Sequence, residues 1–282
     1  MKCAWQEYLQ ILPIWMRSRV DNLGAEKLEE LRLRIGRVPE LILNRGHVFF
    51  ERKVTLEDLS FCISAASQYS PWASTTISDG YLTAAGGHRI GICGEVAIID
   101  GKVTTVRNAT SLCLRVARDF PGIGREADRI AGSVLILGSP GRGKTTLLRD
   151  LIRQKADAGP GAVAVVDERR EVFPTVSDAF CFSPGLRTEV LSGCGKRKGL
   201  EIMIRTMNPD WVAVDEITAE EDCYGVIQAC NCGVSILATA HGESVEDFMQ
   251  RPVYRPLIEN KVFDNIIVMQ PDKSWKLERM NR

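Results

Sequence analysis

Hydrophobic positions along this chain keep two rhythms, and the change falls near residue 120. In the first part, LRLRI (31–35) and ELILN (40–44) alternate apolar with polar residues and predict half-buried strands, after an amphipathic, Trp-bearing helix near Trp5 to Arg17. TLEDLSFCISAAS (55–67) predicts a helix, with Thr55 as its cap and Asp58 three residues on. From Gly80, glycine pairs and the dipeptide Asp100-Gly101 separate β-branched runs, the pattern of a hairpin meander.

Residues 119–132, DFPGIGREADRIAG, concentrate Pro, Gly and charge and mark a junction between domains. Beyond it the chain alternates: SVLILG, TTLLRDLIRQKADAG, AVAVVDE, a long irregular stretch, GLEIMIRTMN, WVAVDE, AEEDCYGVIQACNCG, VSILATAHG. Short, wholly apolar strands between helices predict a parallel sheet covered on both faces. The expected organisation is an α/β domain over 121–282, preceded by a smaller α+β module over 1–120.

Composition narrows the classes. The 282 residues are 45% hydrophobic, enough for a sizeable core. Lys plus Arg and Asp plus Glu number 36 each, so no bulk positive field argues for nucleic acid, and any basic footprint must be local. Cysteines at positions 3, 62, 93, 113, 181, 194, 223, 230 and 232 are odd in number and lack C-x-x-C spacing, as expected of reduced thiols in a cytosolic protein. The opening MKCAWQEYLQILPIWMRSR has polar residues among its apolar ones, unlike a secretion signal, and no run approaches the ~20 apolar residues of a membrane span. A soluble protein is expected, or one docked on a membrane through a partner. Trp5 and Trp15 read as core packing, with a docking face as the alternative.

The turn Gly138, Ser139, Pro140, Gly141, Arg142, Gly143, Lys144, Thr145, Thr146 fits G-x-x-x-x-G-K-[ST] and lies between a strand and a helix, the context a phosphate-binding loop requires. Its glycines let successive N–H groups face phosphate oxygens, Lys144 would reach the β- and γ-phosphates, and the Thr145 hydroxyl would ligate Mg²⁺. The helix behind it aims its positive end at the same phosphates. WVAVDE (211–216) supplies the acidic side: Asp215 for the metal and Glu216 for the attacking water. A bland reading of that pair is a solvated helix start. VAVVDERREV (163–172) ends a neighbouring strand in Asp167 and Glu168, so Glu168 rivals Glu216 for the water, unless the pair only answers Arg169 and Arg170 on the surface. His241 in ILATAHG ends another strand and would report on the γ-phosphate, or is a satisfied core residue.

LSGCGKRKGLEIMIRTMNPDWVAVDE (191–216) looks something like an ABC transporter signature, but Cys194 stands at a glycine position and no Pro follows Glu216. About 70 residues separate Lys144 from Asp215, too few for that family's helical subdomain. A closer match covers nearly all of the chain. LEELRLRIGRVPELILN, GGHRIGICGEVAIIDGKV, SLCLRVAR, GSPGRGKTTLLRDLIR, VVDERREV, MIRTMNPDWVAVDEI and ATAHG closely resemble the stage III sporulation protein AA family, within the RecA-like secretion and type IV pilus ATPases. The resemblance implies a RecA-like P-loop ATPase using ATP and Mg²⁺. It further implies a homohexamer in the mother-cell cytoplasm, docked on a transmembrane channel complex that links mother cell to forespore. By that likeness Glu216 takes the Walker B glutamate position, Glu168 lies in the acidic box, and Asp215 stands where secretion ATPases often have Gly. Arg89, Arg107, Arg115 and Arg118 are the arginines that would complete a neighbour's site. Two other functions stay open: a nucleic-acid-dependent helicase or loader, for which KRK (196–198) is a basic cluster with little aromatic interleaving, and a slow nucleotide-gated scaffold.

Overall fold

The computed structural model describes residues 1–67, 77–127, 129–158, 161–176 and 179–280; Asp128 of the expected junction and Gly159 of the expected helix lie outside them. The chain forms two compact units, Met1–Asp119 with Pro174–Phe182, and Phe120–Phe173 with Ser183–Arg282.

The first unit runs α1 (Trp5–Ile11), α2 (Ile14–Asp21), β1 (Leu28–Arg34), β2 (Glu40–Leu43), β3 (His47–Phe49), α3 (Leu56–Ser67), β4 (Tyr81–Thr83), β5 (Arg89–Ile99) and β6 (Lys102–Arg115). Its strands form one antiparallel sheet in the order β3-β2-β1-β6-β5-β4. The single helix expected over residues 5–17 is two, because Pro13 holds Leu12 extended at φ −85°, ψ 145° and restarts the helix from its own position. α3 begins as its sequence predicts: Thr55 N–H donates to Asp58 Oδ2 at 2.9 Å while Asp58 N–H donates to Thr55 Oγ1 at 3.3 Å. Asp100 and Gly101 both take positive φ, 50° and 74°, in the tight turn between β5 and β6. Tyr8, Leu12 and Met16 from the first helices meet Leu31, Leu33, Leu112 and Leu114 of the sheet in one core. Trp5 and Trp15 lie half-buried against it, and their indole N–H groups donate to Asp21 and Asp58.

The remainder runs β7 (Val134–Leu137), α4 (Lys144–Ala158), β8 (Val163–Asp167), β9 (Thr175–Val176), β10 (Ala179–Phe180), β11 (Thr188–Ser192), α5 (Lys196–Met207), β12 (Trp211–Ile217), α6 (Glu220–Asn231), β13 (Ser235–Ala240), α7 (Val245–Gln250), α8 (Arg255–Glu259), β14 (Asn265–Met269) and β15 (Trp275–Arg279). β9 and β10 pair with each other and fall within the first unit. The other strands form a sheet ordered β11-β8-β12-β13-β7-β14-β15, parallel except for β15. β7, β8 and β14 are buried at every residue, as strands covered on both faces must be. Leu200, Met203 and Val226 of α5 and α6 pack against Leu135, Leu137, Val166 and Val214. β11, TEVLS, lies inside the stretch expected to be irregular; it is an edge strand, half-buried along its length, with no apolar run to announce it. All nine cysteines are free thiols. Among the described residues no helix is long and apolar enough to cross a membrane.

Candidate active site

The site is built at the carboxyl ends of β7, β12, β13 and β8, where open α/β sheets gather their ligands. After β7 the chain turns through Gly138–Gly143 into α4. A Cβ on Gly138 would stand 2.9 Å from Met269 Cβ, and Gly141 and Gly143 take φ of 77° and 93°, so the turn requires glycine at these points. Lys144, only 6% exposed, donates to Gly138 O at 2.8 Å and Ser139 O at 3.2 Å, and stands 3.3 Å from His241 Nδ1. Those contacts use all three ammonium hydrogens. Burial pushes the Lys144 pKa down, and the Glu216 and Asp215 carboxylates oppose that shift.

At the end of β12, Asp215 Oδ2 accepts from Thr145 Oγ1 at 2.8 Å and its Oδ1 accepts from Thr239 Oγ1. The register against β13 breaks between Val214 and Ile217, and Glu216 in that bulge has φ 54°, a left-handed conformation costing about 1–3 kcal/mol for a residue with a side chain. The Glu216 N–H donates to Thr239 Oγ1 at 2.8 Å. One fully buried hydroxyl on β13 therefore anchors both acidic residues. Glu216 Oε1 lies 3.2 Å from His241 Nε2, and Oε2 pairs with Arg169 Nη1. Because His241 Nδ1 faces an ammonium, which has only hydrogens to offer, it is the acceptor, and Nε2–H donates to Glu216. Lys144, His241, Glu216 and Arg169 thus form one continuous line.

β8 ends differently. Asp167, 1% exposed, spends its carboxylate on the N–H groups of Glu171, Val172 and Phe173. Burial raises its pKa to about 6, against the pull of those donors. Glu168 Oε2 pairs with Lys196 Nζ, which is itself buried and 3.5 Å from Asp222 Oδ2. Glu168 is thus held by α5, whereas Arg169 goes to Glu216. In the KRK stretch, Lys196 is committed to these carboxylates and Lys198 pairs with Glu201 at 3.1 Å.

Of the residues marked in the sequence, Lys144, Thr145, Asp215, Glu216 and His241 come together here, and Glu168 lies at the neighbouring strand end. The candidate arginines all belong to the first unit. Arg89 stacks on Tyr81 at 4.0 Å, Arg115 pairs with Glu30 at 3.2 Å, Arg118 donates to Ala25 O and Leu28 O, and Arg107 is exposed. Sequence reasoning missed Thr239 as an anchor and placed Arg169 only in a charge cluster. Thr239 did leave a signal: it is a polar residue in an apolar strand, two positions before His241 and so on the same face.

The donor set fits a magnesium-bound nucleoside triphosphate. Thr145 and Asp215 are hard oxygen ligands of the kind that complement phosphate oxygens and waters around Mg²⁺. Lys144 and the start of α4 supply positive charge, and Arg142 Nη1 on the loop is buried with no hydrogen-bond partner among the described residues.

The family model for Sporulation stage III, protein AA matches residues 4–276. Stage III sporulation protein AA of Bacillus subtilis (strain 168) is 35% identical over 280 residues, covering 95% of this chain and 91% of that protein. The solved structure of the Legionella pneumophila ATPase DotB superposes with a TM-score of 0.62 at 16% identity, over 95% of this chain and 80% of that one. The pilus retraction motor PilT with bound ADP does so with 0.62 at 14% identity, over 96% and 84%. These likenesses show the fold, a RecA-like α/β domain with a mainly parallel sheet after a smaller amino-terminal domain.

Proposed function

The chain belongs to the Sporulation stage III, protein AA family, and from that premise we propose that it is a Mg²⁺-dependent ATPase that powers or gates a sporulation-specific, secretion-like channel between mother cell and forespore. It works as a homohexamer in the mother-cell cytoplasm, held at the membrane by a membrane-protein partner.

The observation that supports this most is the line from Lys144 through His241 to Glu216, beside the Thr145–Asp215 pair. Lys144 rests on two carbonyls of its own loop, and trading them for phosphate oxygens offsets the cost of burying its charge. Thr145 and Asp215 would hold Mg²⁺, which when bound supplies charge neutralisation at the phosphate oxygens. Glu216 orients water for in-line attack. Glu168 is the weaker candidate for that role, since its carboxylate is turned to Lys196 of α5 and not to the Lys144–His241 line. With Nδ1 on Lys144 and Nε2–H on Glu216, His241 passes a change at the phosphate end to the carboxylate. An arginine from a neighbouring copy, drawn from Arg89, Arg107, Arg115 and Arg118, stabilises the charge that develops at the γ-phosphate.

ATP turnover of Lys144→Ala and Glu216→Gln beside wild type tests the reading. Both variants should lose about 100-fold or more, and a Lys144→Ala protein hydrolysing at the wild-type rate overturns the site. Full rescue of sporulation by Glu216→Gln would instead make the protein a nucleotide-gated scaffold.

A further inference from the structure

Glu216 is held on both carboxylate oxygens, and one of the holders, Arg169, has no role in the sequence reading beyond a charge cluster. His241 donates to Oε1 at 3.2 Å, while Arg169, 47 residues earlier in the chain, pairs with Oε2. We infer that Arg169 is a positioning residue that orients Glu216 toward the attacking water. The inference rests on the ATPase reading.

Both ends of this contact are built. Arg169 sits in a turn whose backbone is closed by Arg170 N–H on Asp167 O at 3.2 Å, with Arg170 left-handed at φ 54°. The buried Asp167 carboxylate takes the next three N–H groups, and Arg149, 5% exposed, donates to the carbonyls of Glu171 and Val172 from the other side. The neighbouring arginine turns away, since its guanidinium lies against Gly193. Across from Arg169, Glu216 is fixed through its own N–H on Thr239. An extended acidic side chain with one oxygen tethered still rotates about its terminal torsion, whereas one tethered at both oxygens presents a single plane. As half-exposed ion pairs add little to folding stability, the contact is better explained by geometry than by the energy of the fold.

The test is steady-state ATP hydrolysis by Arg169→Ala, Arg169→Lys, Glu216→Gln and the Arg169→Ala/Glu216→Gln double variant, on the full chain. Arg169→Ala should lower kcat about tenfold with KM for ATP unchanged, and Arg169→Lys should recover part of the loss. In the Glu216→Gln background, Arg169→Ala should change nothing, because its effect passes through that carboxylate. Multiplicative losses, a rise in KM alone, or turnover equal to or faster than wild type in Arg169→Ala would each overturn the inference while leaving the ATPase reading intact. A wild type that does not hydrolyse ATP, or one indifferent to Glu216→Gln, overturns both.

Discussion

Thr239→Val tests the hydroxyl that anchors the acidic pair. Thr239 is fully buried, and its Oγ1 accepts from Glu216 N–H at 2.8 Å while donating to Asp215 Oδ1. Valine fills the same volume but can do neither. Leaving the Glu216 N–H unpartnered costs about 1–3 kcal/mol, and the lost bond to a carboxylate about 1.5–3 kcal/mol. Asp215 keeps its bond from Thr145, and the two losses share one group, so the expected destabilisation is about 3 kcal/mol rather than the sum of the upper values. Thr239→Ser supplies the contrast, since it keeps the hydroxyl and gives up one methyl, worth about 1 kcal/mol. Urea unfolding should rank wild type above Ser and Ser above Val. ATP turnover should fall about tenfold or more in Val, where the left-handed Glu216 loses its anchor, and only about twofold in Ser. A Val variant as stable and as active as Ser would refute the reasoning.

In the first unit, His88 donates from Nε2 to Ala4 O and accepts the Ala117 N–H at Nδ1, and burial lowers its pKa from 6.5 to about 4. Between those values the unfolded chain binds a proton that the folded chain refuses, so stability present above pH 6.5 is lost as pH falls toward about 4, by roughly 3 kcal/mol in all. Urea midpoints at neutral pH and at the acid end of that window check this, and an equal acid loss in His88→Gln would refute it. In α5, a Cβ on Gly199 would stand 2.4 Å from Val166 Cγ1 of β8, so Gly199→Ala should cost about 1–3 kcal/mol of overpacking and lower the melting temperature. A variant more stable than wild type, as helix propensity alone would give, would count against the close packing of α5 on the sheet.

Much of this arrangement was legible locally. A strand, a glycine turn and a helix in succession can be read there because the backbone needs glycine at Gly141 and Gly143 whatever lies around it. Thr55 with Asp58, and Asp100 with Gly101, are likewise short-range chemistry. Most of what escaped depends on distant partners. β11 has no apolar run and gains its place from pairing with β8 and from Leu191 packing against the core. The Arg169–Glu216 contact joins the ends of two strands, and nothing in ERRE or VDEI says which arginine crosses. The break at Pro13 was hidden by apolar spacing that runs straight through it, from Leu9 and Leu12 to Met16.

The chain passes between its two units at residues 119–120, 173–174 and 182–183. A fragment ending at Asp119 would therefore lack a piece of its own fold, and the complementary fragment would carry that piece as an orphan. The genetic corollary concerns inheritance: one recombination event cannot transplant either unit onto a foreign protein intact. Exchange of modules, a common route by which multidomain proteins diversify, is closed to this chain except at the cost of three simultaneous breakpoints, which favours descent of the pair as a single heritable block.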